Sequence, residues 1–181
     1  VHVVWLEDLS GNGEIYYKRS TDAGASWGGS IRLTNNAFLS ESPSIAASGL
    51  IVHVAWFDHR DGNTEIYYKR STLSGISWGA DVRLTNNNSG QYYPSIAVSG
   101  NVIHVIWRDG RDWGTGGNNE IYYKRSTDNG TTWGVDTRLT YFDSVAYEPS
   151  LAVSGSVVHV VWHDKRYGTN PEIFYKRSTD A

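Results

Sequence analysis

The 181-residue chain contains no cysteine. Disulfide scaffolds, thiolate metal sites and cysteine nucleophiles are excluded, and nothing in the sequence reports a redox compartment. Methionine is absent too, even at position 1, so the chain is expected to be a processed product or a portion of something longer. No apolar run approaches the roughly 18 residues of a membrane-spanning helix, and no signal peptide is visible. An excess of positive charge is lacking as well. Sixteen Lys and Arg stand against 19 Asp and Glu, for a net charge of −3, and a nucleic-acid binder normally carries a basic surplus. Eight of those 16 cations lie in the Lys-Arg pairs 18–19, 69–70, 124–125 and 176–177, spaced too regularly to form one patch.

What is present is a repeat, and a fixed period decides architecture before anything else. His2-Val-Val-Trp5 returns as His53-Val-Ala-Trp56, His104-Val-Ile-Trp107 and His159-Val-Val-Trp162. Glu14-Ile-Tyr-Tyr-Lys-Arg-Ser20 returns at Glu65, at Glu120 and, with one Phe, at Glu172. Arg-Leu-Thr recurs at Arg32, Arg83 and Arg138, and a Pro-Ser pair at Pro43, Pro94 and Pro149. The third copy is longer in one place only, between Asp109 and Glu120. Insertions confined to one loop are what a stack of supersecondary modules tolerates.

Each unit reads as four short strands, A to D. In the third, A starts at Pro94 and turns at Gly100-Asn101, a pair suited to a type II′ hairpin. Strand B is Val102 to Trp107, C is Glu120 to Ser126, and D surrounds Arg138. Strand B is almost wholly apolar, as befits a strand covered on both faces, and no segment has helical periodicity. These features predict an all-β chain, a β-propeller of four-stranded antiparallel blades, open or partial because only about three and a half repeats are present. Fourteen strands are expected, in a partial blade over 1–42 (B-C-D), complete blades over 43–93 and 94–148, and a partial blade over 149–181 (A-B-C).

Between strands C and D stand Ser20-Thr-Asp22-Ala-Gly24-Ala-Ser-Trp27 and Ser126-Thr-Asp128-Asn-Gly130-Thr-Thr-Trp133. The middle copy keeps Ser71, Gly75 and Trp78 but has Leu73 where the Asp belongs. This pattern resembles the Asp-box (BNR) repeat of sialidase-like propellers. An Asp carboxylate can accept the N–H groups of its own turn, Gly supplies a positive φ, and Trp closes the turn. A structural role is therefore expected for Asp22, Gly24, Trp27, Gly75, Trp78, Asp128, Gly130 and Trp133. The resemblance places the boxes on the face away from the ligand and implies an extracellular or cell-surface setting.

Positions shared by all units read as scaffold, and positions that differ read as candidates for function. The strand-B histidines are accordingly core residues. The B–C loops and D–A connections diverge and share the end opposite the Asp-boxes. They carry Arg60, Asp61, Arg111, Asp112, Trp113, Arg166 and Tyr167, together with Tyr92, Tyr93, Tyr141 and Tyr147. Aromatic rings beside Asp, Asn and Arg are the ingredients of a sugar site, and they equally serve to cover blade tops. The Asp-X-Arg element at Asp58/Arg60, Asp109/Arg111 and Asp164/Arg166 suits bidentate carboxylate binding, or a repeated internal ion pair.

Sialidases use a Tyr nucleophile with a carboxylate, an acid/base Asp and an arginine cluster. No residue here matches those motifs one for one, and in Tyr147-Glu148 strand alternation would send the two side chains to opposite faces. No catalytic residue, metal or cofactor is assigned. The expectation is a non-catalytic module that binds a glycan or glycoconjugate through the B–C and D–A loops. The alternatives are a fragment of a sialidase-type hydrolase and a structural subunit of a surface assembly. In the last, incomplete edge blades would associate with another copy or with the rest of a larger propeller.

Overall fold

A computed structural model describes residues 1–8, 11–112, 118–142 and 144–179. Among them are fourteen strands and no helix. The first sheet holds β1 (His2–Glu7), β2 (Glu14–Arg19) and β3 (Ile31–Arg32). The second holds β4 (Ser40–Ser48), β5 (Ile51–Asp58), β6 (Glu65–Ser71) and β7 (Val82–Arg83). The third has β8 (Gln91–Ser99), β9 (Val102–Asp109), β10 (Glu120–Ser126) and β11 (Thr137–Arg138). The fourth has β12 (Tyr147–Ser154), β13 (Val157–Asp164) and β14 (Glu172–Ser178). Every pairing is antiparallel, and in each sheet the strands lie in chain order. Between sheets the most extensive packing joins β4 to β8 and β8 to β12. These A strands are innermost, and the His-Val-Val-Trp strands stand second.

The cores lie between sheets, which is why strand B carries apolar side chains on both faces. From β5, Val52, Val54 and Trp56 pack against Ile15, Tyr17 and Leu33 of the first sheet. Ala55 and Phe57 of the same strand face the other way, onto Ile96, Val105 and Trp107 of the third. A third cluster joins Ile106 and Ile121 to Val158, Val160 and Trp162. The histidines His53 and His104 are buried, and each ring Nδ1 shares a hydrogen bond with a tyrosine hydroxyl, Tyr68 at 2.7 Å and Tyr123 at 2.8 Å. The A–B hairpins are two-residue turns. Gly49, Gly100 and Gly155 have φ between 57° and 60°, while the residue after each does not have positive φ, as a type II′ turn requires.

Strand A starts earlier than its Pro, and it is bulged. Register shifts fall between Glu41 and Ser44, Tyr92 and Ser95, and Tyr147 and Ser150. The residue before each proline, Ser42, Tyr93 or Glu148, has φ of 48°, 53° or 43°. A left-handed non-glycine residue costs about 1–2 kcal/mol and needs surrounding structure to hold it. A bulge also breaks the two-residue alternation of side chains.

The C–D hairpins are tight turns, and those carrying Trp78 and Trp133 reach across to the preceding sheet. Asp22 accepts the Ser26 N–H at 2.9 Å and the Ser20 hydroxyl at 2.6 Å, and Asp128 repeats this with Thr132 and Ser126. These bonds, with those from Ser20 and Ser26 or Thr132 first, hold both carboxyls well below the usual carboxylate range. The hairpin without Asp survives on Ser71, whose hydroxyl accepts the Gly75 N–H at 2.8 Å. Trp78 meets Tyr17 edge-on at 4.9 Å, and Trp133 meets Tyr68 at 5.0 Å. The glycines have a steric reason beyond φ: a Cβ on Gly75 would lie 1.9 Å from the Tyr17 hydroxyl, whereas one on Gly24 meets nothing within 4 Å. Both have positive φ. Gly24→Ala is therefore expected to cost about 1 kcal/mol, the backbone term alone, and Gly75→Ala at least about twice that, read from urea unfolding midpoints.

Candidate functional site

Hydrogen bonds separate the two ends of the molecule. B–C loops join D–A connections through His59 N–H to Leu39 O at 3.0 Å, Gly110 N–H to Gly90 O at 3.0 Å and Lys165 N–H to the Ser144 hydroxyl at 3.0 Å. At the other end the Asp-boxes join the A–B hairpins, through Ser74 N–H to Leu50 O and Asn129 N–H to Asn101 O. The divergent loops thus share one face and the hairpin boxes the other.

On the loop face, Asp-X-Arg is a chelate within each blade. Asp58, fully buried, accepts Arg60 Nε at 2.8 Å, Arg60 Nη2 at 2.6 Å and the Arg60 backbone N–H at 3.0 Å, besides Trp56 Nε1 at 3.0 Å and the Ser40 hydroxyl at 2.9 Å. Burial pushes its pKa up, and the hydrogen bonds from Arg60, Trp56 and Ser40 outweigh it, leaving the carboxyl below its ordinary value. The same bonds, Asp58 first, raise Arg60. Arg60 also bonds Asp81 at 2.8 Å and stacks 4.3 Å from the Tyr67 ring, whose hydroxyl donates to Asp61 at 2.6 Å. Arg111 repeats this on Asp109, Asp136 and Tyr122, with Asp112 accepting from Tyr122 at 2.9 Å. Arg166 pairs with Asp164 and is sandwiched between Phe142 at 3.4 Å and Phe174 at 3.7 Å. All three guanidinium forks are thus held by a carboxylate of the same sheet.

The aromatic residues divide. Tyr92, Tyr93 and Tyr147 converge on Arg108, whose guanidinium carbon lies 4.6, 5.1 and 5.5 Å from their ring centres. Phe57 adds edge contacts to Tyr92 at 5.4 Å and Tyr93 at 5.8 Å. Arg108 is half-buried and forms no ion pair among the described residues, and its Nε is buried without a hydrogen-bond partner. A hollow of about 410 Å³ opens beside it, lined by Ser89, Gly90, Tyr92, Gly110 and Asn119. Tyr141 instead stacks on Arg138 at 4.7 Å, and Tyr167 is 81% exposed beside a second hollow that Phe142 and Arg166 line. Trp113 lies outside the described residues.

One expectation of the sequence fails here. Tyr147 stacks on His163 at 5.3 Å, and Glu148 also approaches that imidazole, at 3.7 Å. The bulge in β12 turns the neighbours toward one partner despite the pleat. Sequence reasoning also missed Arg108 and His163. The signal was available in the slot between the repeated Trp and the acidic residue of strand B, which reads Leu6, Phe57, Arg108 and His163 in the four copies. Within a recurring Trp-x-acid frame this position passes from apolar in the first two copies to cationic Arg108 and then to His163, and in the second and third copies its side chain meets strand-A tyrosines. Among the described residues no group of three His, Asp or Glu is placed to hold a metal ion, and no helix is long and apolar enough to cross a membrane.

Comparison with solved structures sets this geometry beside known propellers. A Trypanosoma rangeli sialidase in complex with 2,3-difluorosialic acid superposes with a TM-score of 0.60 at 18% identity, over 93% of this chain and 31% of that one. The chain has the sialidase β-propeller fold. The NanB sialidase from Streptococcus pneumoniae matches with a TM-score of 0.59 at 13% identity, over 93% and 26%. A mutant of the T. rangeli enzyme displaying trans-sialidase activity gives 0.57 at 16%, over 94% and 37%. The present chain therefore spans between a quarter and two fifths of the sialidase chains it resembles. No family model matches the sequence, and no curated protein does.

Proposed function

We propose that this sialidase-like portion of a propeller is a non-catalytic glycan-recognition module of an extracellular or cell-surface protein. Its site is the hollow that Tyr92 and Arg108 line together with Ser89, Gly90, Gly110 and Asn119, where the Tyr93 and Tyr147 rings lie against the Arg108 guanidinium. The observation that carries this reading is the contrast among arginines on one face. Arg60, Arg111 and Arg166 are each clamped by an aspartate, whereas Arg108 lies against the rings of Tyr92, Tyr93 and Tyr147 and forms no ion pair among the described residues. Aromatic faces pack against the C–H surface of a sugar ring, and an uncommitted guanidinium fork beside them suits an acidic substituent.

The test is a glycan array probed with the purified chain and with Arg108→Ala. A hydrogen bond to a charged group is worth about 1.5–3 kcal/mol, so the variant should bind roughly ten- to a hundredfold more weakly. Arg108→Lys should recover part of this, keeping charge without the fork. Tyr141→Ala, on the Arg138 stack, should bind as the parent does. Silence across acidic and neutral glycans, or an Arg108→Ala chain that binds unchanged, would reject the reading.

The hydrolase alternative draws on one observation, the meeting of Tyr147 and Glu148 at His163. Release of a fluorophore from a sialoside that Tyr147→Phe abolishes would establish it in place of simple recognition.

A further inference from the structure

The second and third sheets are complete, and each is packed between two other sheets of this chain. Their backbones agree where the D–A connection meets the B–C loop. His59 N–H bonds Leu39 O at 3.0 Å in one, and Gly110 N–H bonds Gly90 O at 3.0 Å in the other. The side chains do not agree. Beside the second sheet these positions are Phe38, Leu39 and His59, with the His59 ring 5.7 Å from the Phe57 ring and its Nε2 3.0 Å from Glu41. Beside the third sheet the matching residues are Ser89, Gly90 and Gly110, and Arg108 takes the slot of Phe57.

Neither of these glycines has positive φ, so the backbone alone does not call for them. A Cβ on Gly90 would come 2.3 Å from the Tyr92 hydroxyl and 2.6 Å from Thr64 Oγ1, and one on Gly110 would come 3.1 Å from Asn119 Oδ1. Gly90 thus lets Tyr92 lie over the loop. Gly110, with the small Ser89, leaves open the place that an imidazole fills one blade earlier. Glycine serves in this way where a ligand approaches backbone closely. The product of the three reductions in size is the hollow of about 410 Å³.

We propose that this hollow seats one hexuronate ring and that Gly110 is its specificity-determining residue. The inference rests on reading the hollow as a glycan site. A ring in the place vacated by the imidazole faces Arg108 as His59 faces Phe57. A carboxylate carried directly on that ring then comes within reach of the guanidinium fork. Besides Arg108, the lining side chains able to hydrogen-bond are Ser89, Tyr92 and Asn119. A hexuronate glycoside presents one carboxylate and three ring hydroxyls, which this set can meet. A nine-carbon sugar acid adds an amide arm and a polyol arm, and the described lining holds no further polar side chain for them.

The test titrates the purified chain with methyl glucuronide, methyl glucoside and methyl sialoside, followed by saturation-transfer NMR and calorimetry. The glucuronide should bind, and the glucoside, lacking the charged partner, should bind roughly ten- to a hundredfold more weakly. The sialoside should also bind more weakly than the glucuronide. Gly110→His, which installs the second sheet's residue on the same backbone, should abolish binding with Arg108 in place and circular dichroism unchanged. Asn119→Ala should weaken the glucuronide roughly two- to tenfold, the range for one neutral hydrogen bond. Should Gly110→His misfold, Ser89→Phe, which restores the counterpart of Phe38, replaces it. A glucoside that binds as well as the glucuronide overturns the proposal. A sialoside that binds more tightly, and loses its binding in Arg108→Ala, overturns the hexuronate assignment while the glycan reading stands. A folded Gly110→His chain that binds unchanged overturns the seat. Silence with every acidic and neutral glycan rejects the glycan reading itself, and this inference with it.

Discussion

Asp58→Ala should lower stability by about 3–5 kcal/mol, the range for removing one partner of a buried ion pair. The reason is what it strands. Asp58 is fully buried and satisfies the Trp56 indole, the Ser40 hydroxyl and three N–H groups of Arg60. Without it Trp56 Nε1 is a buried donor with no acceptor, and Arg60 keeps only Asp81. Since a typical domain has about 5–15 kcal/mol in total, the loss should bring the urea midpoint down by a large fraction. Asp58→Asn retains shape and some acceptor capacity and should sit between the two. Asp109→Ala should behave like Asp58→Ala, because Trp107 and Arg111 repeat the arrangement. If the aspartates were instead poised to release their arginines to a ligand, the substitutions would leave stability nearly intact and change binding.

The same residues show what a sequence can disclose. Period, strand order and the strand count were legible because each unit must bury the same faces, and identical burial leaves identical residues: His, Trp and the Glu-Ile-Tyr-Tyr run recur for that reason. The double coverage of β5, with Val54 and Ala55 both at 0% exposure on opposite faces, was readable from its unbroken apolar run. Partners across sheets were less legible. Nothing local says that Gly75 is small because Tyr17 lies 58 residues earlier in the chain, since that contact exists only once blades stack. Asp-X-Arg illustrates a limit of another kind. The motif suits an internal pair and a carboxylate grip equally, and only the position of the adjacent aspartate shows that the fork is already filled.

The bulges explain why the candidate site was only half read. Tyr92, Tyr93 and Tyr147 stood out as aromatic departures from the repeat, but a regular pleat would send Tyr92 and Tyr93 to opposite faces. Their convergence on Arg108 depends on Tyr93 occupying φ of 53° before Pro94. That backbone state is not written in composition or period. Arg108 itself was hidden inside the most uniform strand of the repeat, where invariance elsewhere in the motif draws attention from the one variable slot.

Acid should unfold the protein steeply, well before its exposed carboxylates matter, and the strand-B histidines are the cause. Burial first, then the positive charge of Arg70, pulls His53 down to about 4 from an ordinary value of 6.5, and burial with Arg125 does the same to His104. Each is neutral in the folded core and charged in the unfolded chain between those two values. The unfolded state therefore binds more protons in that window, and stability falls as pH drops from 6.5 toward 4. At pH 7 the folded state is neutral and the unfolded chain mostly so, and nearly the whole contribution is present; below about 4 it is gone. With solvent screening discounted, the pair should account for roughly 2 kcal/mol each, a large share of a marginal fold. Urea unfolding measured at half-unit steps from pH 7 to 4 should show the midpoint falling through this range. His53→Gln with His104→Gln should start less stable at pH 7, having lost the ring packing on Tyr68 and Tyr123, yet lose far less on acidification. A double variant whose midpoint declines as steeply as the parent's would move the acid sensitivity to the carboxylate pairs of the loop face.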